Sequence, residues 1–354
     1  MSQLTINHVR IAGMSACVPA TVEDNRTLPI YHDENDALKV IASTGIERHH
    51  KVEPGTTASD LSVKAVERLL ADMGWNPEDV DCLAYVCTSR DYIAPQTACI
   101  LQDRLHLRHD CCVFDLPFGC SGWVYGMSIV GSLMSHGTLK KAILIAAETN
   151  TQNRNPRDTA VRPLFGDAAT ATALEYDPVR SHPMHFMYGV DGSGFDAVWA
   201  PYGGMRKPVT PEALEEKEVS PGVYRRGVDM IVNGMDVFGF AIKQPPRSLK
   251  ELIATFNIDV ETVDLLLLHQ ANKFIDEKIR KAIKIPSEKT PYCLEEYGNV
   301  TSASIPLTMV TRCQEKLSAT GQRHCIACGF GVGLAWASME FYAGDVKISD
   351  LVTY

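Results

Sequence analysis

Two hydrophobic patterns alternate along the chain. In SDLSVKAVERLLADMGW the apolar residues fall at helical spacing, and the chain then passes through Asn76-Pro77-Glu78-Asp79 into VDCLAYVCTS, a short apolar run with a polar far end. Such a run reads as a strand buried on both faces. The order recurs in RSLKELIATF, a polar turn and VDLLLLHQAN, with Asp81 and Asp264 in matching places. A second correspondence follows. GCSGWVYGMSIVGSLMSHGTLKKAILIAAE and GNVTSASIPLTMVTRCQEKLSATGQRHCIACGFG each predict a Gly-containing turn, a helix and a buried strand, opened by Cys120 and Asn299. Two matches at nearly the same offset predict an internal duplication. The chain therefore divides into α/β halves, residues 1–177 and 178–354, with the boundary at Tyr176-Asp177-Pro178 and active residues at strand ends. The Pro-, Gly- and charge-rich stretch from about 200 to 225 reads as a surface insertion.

Composition narrows the class. The longest apolar runs, such as Ile143–Ala147 and Leu265–Leu268, are far short of the roughly 20 residues that span a bilayer, so membrane insertion is not expected. The opening MSQLTINHVRIAGMSACVPA shows no basic residue ahead of a long apolar block, so no signal peptide is expected. In that setting eleven cysteines read as reduced thiols and the protein as cytoplasmic. A net charge of −9 argues against nucleic acid as a partner.

The first chemical signal is VFDLPFGCSGW. Cys112 to Leu116 predicts a strand, Pro117-Phe118-Gly119 a sharp turn, and Ser121 to Met134 a helix apolar nearly all round, hence buried. Cys120 stands at the mouth of that helix, where the dipole and free N–H groups favour thiolate. A free cysteine is more commonly an inert core residue. Here the strand–turn–helix junction, with glycine on both sides, favours a nucleophile. The other ten cysteines read as structural, Cys325-x-x-Cys328 among them. His106-x-x-His109-x-Cys111-Cys112 lacks a second ligand pair, so no metal is expected.

His269 ends the strand VDLLLL, with Asn272 three residues on, and Asn299 lies in a Gly-Asn turn. If the halves pack about a pseudo-twofold axis, the Asn299 loop mirrors the Cys120 loop and both face one site. Three chemistries suit Cys, His and Asn: hydrolysis with His as base, carbon–carbon condensation with His and Asn donating to an enolate, and acyl transfer to an alcohol or amine. The hydrolase reading leaves the duplication unexplained.

At these residues the chain resembles the β-ketoacyl-acyl carrier protein synthase III family of the thiolase superfamily. The resemblance spans essentially the whole chain and rests on Thr44-Gly45-Ile46, the Cys120 turn, Ala147-Glu148, Phe165-Gly166-Asp167, His269-Gln270-Ala271-Asn272, Tyr297-Gly298-Asn299 and GFGVGLAW. It implies a five-layered αβαβα fold, a homodimer and ping-pong catalysis without a cofactor. Cys120 would take an acyl group from a coenzyme A or acyl carrier protein thioester. His269 and Asn299 would then hold the thioester oxygen of a malonyl group as carbon dioxide leaves, and the carbanion would attack acyl-Cys120. The backbone N–H groups of Cys120 and of the Gly329-Phe330-Gly331 turn would hold the tetrahedral oxyanion. Transfer of the acyl group to oxygen or nitrogen is the alternative the same three residues would serve.

The chain also departs from the family pattern. Lys39 and Thr159 stand where the family places a Trp and an Arg on the two faces of the coenzyme A adenine. Phe274 replaces an Arg that helps dock carrier protein, although Lys273, Lys278, Arg280 and Lys281 are near. Ala94, in Tyr92-Ile93-Ala94-Pro95, takes the place of a bulky residue that closes the acyl pocket across the dimer. Together these departures imply a specialised member rather than the initiator of ordinary fatty-acid synthesis.

Overall fold

A computed structural model describes residues 1–31, 33–179 and 182–354. Two sheets organise the chain. Across the first, the strands run Lys347–Ile348, Val9–Val18, Asp167–Tyr176, Lys141–Thr149, Cys82–Val86 and Cys112–Leu116, with Val352–Thr353 also paired to Val9–Val18. Across the second they run Ser2–Ile6, Met184–Val190, Ala335–Ala343, Arg323–Gly331 and Leu265–Leu268. Helices Gly122–Met134 and Ser304–Arg312 lie between the sheets and touch both. Helices Ala58–Met73 and Thr97–Arg104 cover the outer face of the first sheet, and Gln244–Thr255 and Lys273–Ala282 that of the second. The layers are α, β, α, β, α, the thiolase-like arrangement.

Burial on both sides explains why the strands Cys82–Val86 and Leu265–Leu268 are apolar at every position. In Cys82–Val86, residues 82, 84 and 86 face the core between the sheets, while Leu83 and Tyr85 face the outer helices. Leu265 and Leu267 likewise point inward, and Leu266 and Leu268 outward. Strand alternation requires this division.

The two aspartates matched in the sequence make matching hydrogen bonds. Asp81 N–H donates to Lys141 O and Asp264 N–H to His324 O, both at 2.8 Å. Each carboxylate accepts in return, from Lys141 N–H at 3.1 Å and from His324 N–H at 2.9 Å. Both aspartates thus tie the start of their strand to the neighbouring strand. The chain termini exchange places: Ser2–Ile6 belongs to the second sheet, while Lys347–Ile348 and Val352–Thr353 belong to the first. The 200–225 stretch carries an exposed hairpin, Lys217–Ser220 with Val223–Arg225.

The central helix Gly122–Met134 is packed tightly along its glycine face. A methyl group added at Gly122 would fall 2.3 Å from Val86 Cγ1, and one at Gly126 would fall 2.6 Å from Leu144 Cδ1. The small face read from the sequence is therefore where strands press against the helix. Gly126→Val should destabilise the fold by about 1–3 kcal/mol through overpacking. Gly239→Ala, where nothing lies within 4 Å, should leave stability unchanged or raise it slightly. Thermal unfolding followed by circular dichroism compares the two.

Candidate active site

The edge strand Cys112–Leu116 ends in a tight turn, in which Phe118 N–H reaches Leu116 O and Gly122 N–H reaches Gly119 O, both at 2.8 Å. The helix begins at Gly122, with Ser121 as its cap residue. This delivers Cys120 against the strand Arg323–Gly331 of the second sheet. A methyl group at position 331 would lie 2.7 Å from Cys120 Sγ, and one at 329 would lie 3.0 Å from Cys120 O. The Gly329-Phe330-Gly331 segment was expected to be a turn; the strand instead runs on through Gly331. Alternation then sets both glycines against Cys120 and turns Phe330 the other way, where its ring meets His269 edge-on at 5.3 Å.

The thiol differs electrostatically from the expectation at a helix mouth. Burial pushes the Cys120 thiol up to about 12. The backbone N–H groups of Val332 and Cys120 and the charge of Arg154 oppose that shift without overcoming it, and Glu148 adds to it. Desolvation outweighs the helix terminus because the charged form has almost no water around it.

His269 follows the buried strand Leu265–Leu268 and is fixed by its own N–H, which donates to Cys328 O at 2.9 Å. Burial lowers its imidazole to about 3, with the Thr301 backbone opposing. The ring is therefore neutral across the physiological range. Asn299 is positioned by two sequence signatures that meet. Its N–H donates to Leu164 O at 2.8 Å, and its carbonyl accepts from Gly166 N–H at 3.2 Å. Residue 166 must be glycine, since a methyl group there would fall 2.2 Å from Tyr297 O. Thr301 N–H donates to Asn299 Oδ1 at 2.9 Å, which orients the amide and leaves its NH2 for a ligand. Asp167, the last residue of Phe165-Gly166-Asp167, accepts from Val52 N–H, Thr151 N–H and Thr151 Oγ1 and is structural.

Cys120, His269 and Asn299 line one cavity of about 240 Å3, together with Asn272, Phe330 and an apolar wall that includes Met230, Val237 and Phe238. Asn272 also caps helix Lys273–Ala282, its Oδ1 accepting from Phe274 and Ile275 N–H. The other sequence-predicted positions lie elsewhere. Lys39 and Thr159 share a separate cavity of about 670 Å3 with Tyr31, Arg157 and Tyr224, closed on one side by the 217–225 hairpin. Lys39 is paired to Asp36 at 3.0 Å. Phe274 is 52% exposed and stacks on Phe238 at the cavity wall. Lys273 pairs with Glu295, Arg280 with Glu277, and Lys278 lies 5.1 Å over Phe274. Ala94 sits on an exposed loop outside the Cys120 cavity. Sequence reasoning passed over Asn150, Arg154, Thr301 and Val332, which also line it. They stand in irregular segments whose pattern carries no chemical signature.

A buried thiol at a helix mouth, facing a neutral imidazole and an oriented amide between two α/β halves, defines an acyl-transferring enzyme of the thiolase-like class. The family model for 3-oxoacyl-[acyl-carrier-protein] synthase III matches residues 114–192, and the model for its C-terminal part matches residues 253–342. The β-ketoacyl-[acyl-carrier-protein] synthase III of Caldanaerobacter subterraneus is 30% identical over 328 residues, which is 93% of this chain and 96% of that protein. The crystal structure of a 3-oxoacyl-(acyl-carrier protein) synthase from Burkholderia xenovorans superposes with a TM-score of 0.93 at 32% identity, covering 100% of this chain and 99% of that one. The priming β-ketosynthase of the R1128 polyketide pathway shares the fold, at a TM-score of 0.81 and 21% identity over 96% of this chain and 97% of its own. The chain belongs to the β-ketoacyl-acyl carrier protein synthase III family, whose members are acyltransferases.

The raised thiol sets the pH behaviour of the resting enzyme. With the acid form favoured up to about 12, thiolate is scarce at neutral pH and grows about tenfold per pH unit. Alkylation of Cys120 by iodoacetamide should therefore climb steadily from pH 7 to pH 10, with no plateau and no inflection near 6.5 from His269. Mass spectrometry of the Cys120 peptide reads this separately from the exposed Cys99 and Cys112. A plateau near pH 8 would show that thiolate is instead favoured at rest.

Proposed function

We propose that this enzyme performs a decarboxylative Claisen condensation through an acyl-Cys120 intermediate, a reading carried by the single cavity that Cys120, His269 and Asn299 share. Cys120 Sγ attacks the carbonyl of an acyl thioester, the bond from that carbonyl to the carrier sulfur breaks, and the Cys120 proton ends on the departing carrier thiol. The acyl oxygen, negative in the tetrahedral state, is held by the Cys120 and Phe330 backbone N–H groups. A malonyl thioester then enters. Neutral His269 donates its ring N–H and Asn299 its NH2 to the thioester oxygen, which becomes the enolate oxygen as the carboxylate leaves as carbon dioxide. The enolate carbon attacks acyl-Cys120, forming the new carbon–carbon bond as the carbonyl–sulfur bond breaks, and the expelled Cys120 thiolate takes a proton from solvent. A neutral imidazole suits this role because it donates without bringing a proton that would quench the carbanion.

The names of the relatives support acyl carrier protein as a carrier and fatty-acid biosynthesis as the setting, and they favour condensation over transfer to oxygen or nitrogen. Asn272 at the cavity wall would guide the pantetheine arm. The replacements at Lys39, Thr159 and Phe274 support a specialised role, with secondary metabolism as one setting. Residues 1–177 and 178–354 are read as the two descendants of one unit, an assignment that the Asp81 and Asp264 pairings support. A homodimer is favoured by the half-exposed edge strand Cys112–Leu116 and by exposed Tyr92 and Ile93 beside Ala94. Eleven free cysteines support a cytoplasmic location. Among the described residues no helix is long and apolar enough to cross a membrane.

Cys120→Ala should abolish the acyl adduct seen by intact mass spectrometry after mixing with acyl thioesters; a persisting adduct would move the nucleophile elsewhere. His269→Ala and Asn299→Ala should each lower carbon dioxide release from a malonyl thioester by about 100- to 1,000-fold, while the adduct still forms. Equal losses in the two steps would contradict this division of roles.

A further inference from the structure

One side chain in the Cys120 cavity has no place in the steps above. Arg154 is only 6% exposed and lines the cavity beside Cys120. Its guanidinium lies over Phe165, with Cζ 3.5 Å from the ring centre. One nitrogen, Nη2, donates to Asn150 Oδ1 at 3.3 Å, and Asn150 Nδ2 donates onward to Thr301 Oγ1 at 3.3 Å. Nε and Nη1 are buried and have no hydrogen-bond partner among the described residues. Burying a charged group with idle donors is costly, and such groups are normally paired.

Neighbouring carboxylates do not fill the gap, because each is engaged by other donors. Glu148 accepts from the backbone and hydroxyl groups of Thr88 and Ser89. Asp158 is bonded by Arg225 Nε at 2.5 Å, and Asp167 by Val52 and Thr151. The guanidinium is held by the Phe165 ring and the Asn150 amide at a wall shared by the Cys120 cavity and a smaller cavity of about 50 Å3, and two of its donors stay unpaired.

We propose that Arg154 is a specificity-determining residue that binds a carboxylate on the acyl group transferred to Cys120, so that the preferred primer is a carboxyacyl thioester rather than a plain alkanoyl one. This rests on the condensing-enzyme reading of the site. A charged guanidinium with idle donors in a water-poor cavity matches a carboxylate in both charge and hydrogen bonding. The malonyl carboxylate is the less suitable occupant. That group must lose its charge as carbon dioxide departs, and a cation holding it would stabilise the starting state over the transition state. The group that stays on Cys120 carries no such conflict.

The test is the rate of adduct formation on Cys120, followed by intact mass spectrometry. Succinyl and glutaryl thioesters are compared with butyryl and pentanoyl thioesters, each on coenzyme A and on acyl carrier protein. The native enzyme should favour the carboxylated donors by at least about tenfold, since a buried donor left unpaired penalises the chain that lacks its acceptor. Arg154→Met should erase that ratio, and Arg154→Lys should retain part of it. Equal rates or a preference for plain chains in the native enzyme would overturn the proposal. So would an Arg154→Met variant that slows all donors alike, or one that changes only carbon dioxide release from malonyl thioester. Adducts from plain chains alone would remove this proposal and leave the condensing reading standing. Adducts from no donor would remove both.

Discussion

The active site depends on a close approach of two backbones that a side chain would forbid. Cys120 rests on the strand Arg323–Gly331 at the two positions, 329 and 331, that carry no β-carbon. The same device recurs where Gly166 lets the Asn299 segment lie beside residues 164–166. In both places, parts of the chain far apart in sequence are brought into contact by the absence of atoms. Cys120 and Asn299 are thereby fixed by backbone rather than by flexible side chains, which is how a site can hold reacting atoms in place.

Burial at this junction governs the chemistry as much as the choice of residues does. The same desolvation raises the Cys120 thiol and lowers the His269 imidazole, so the resting site holds a neutral pair instead of an ion pair. Neutral groups suit an enzyme that must generate a carbanion next to a histidine. The few charges admitted are therefore informative. Glu148 is enclosed by donors from Cys87, Thr88 and Ser89, whereas Arg154, at the cavity wall, keeps idle ones.

The departures noted in the sequence sort themselves by location. Lys39 and Thr159 lie together in the larger cavity, which the 217–225 hairpin borders. That cavity holds the aromatic side chains of Tyr31 and Tyr224 and the guanidinium of Arg157, although positions 39 and 159 themselves carry neither an aromatic nor an arginine. Phe274 buttresses Phe238 at the edge of the Cys120 cavity, so this replacement reaches the substrate channel through packing. Ala94 stands apart in a single chain, and any influence it has on the acyl site requires a second one.

The sequence by itself determined the layered fold and the family, and it singled out Cys120, His269 and Asn299, which the fold brings to one cavity. Those features are written in periodicity, in glycine-bounded turns and in residue types whose chemistry is restrictive. The apolar runs it marked at 82–86, 143–147 and 265–268 are buried on both faces, and the helix after Cys120 begins within a residue of its expected start. It could not show that Gly329–Gly331 is strand rather than turn, because pairing with Ala335–Ala337 decides that. Nor could it show the state of the thiol, since helix position is local while desolvation sums over the whole surroundings. Arg154 is the clearest case. In NTQNRNPRD it is one polar residue among many, and only the tertiary structure stacks it on Phe165, removes its water and leaves two of its donors unpaired beside the Cys120 cavity.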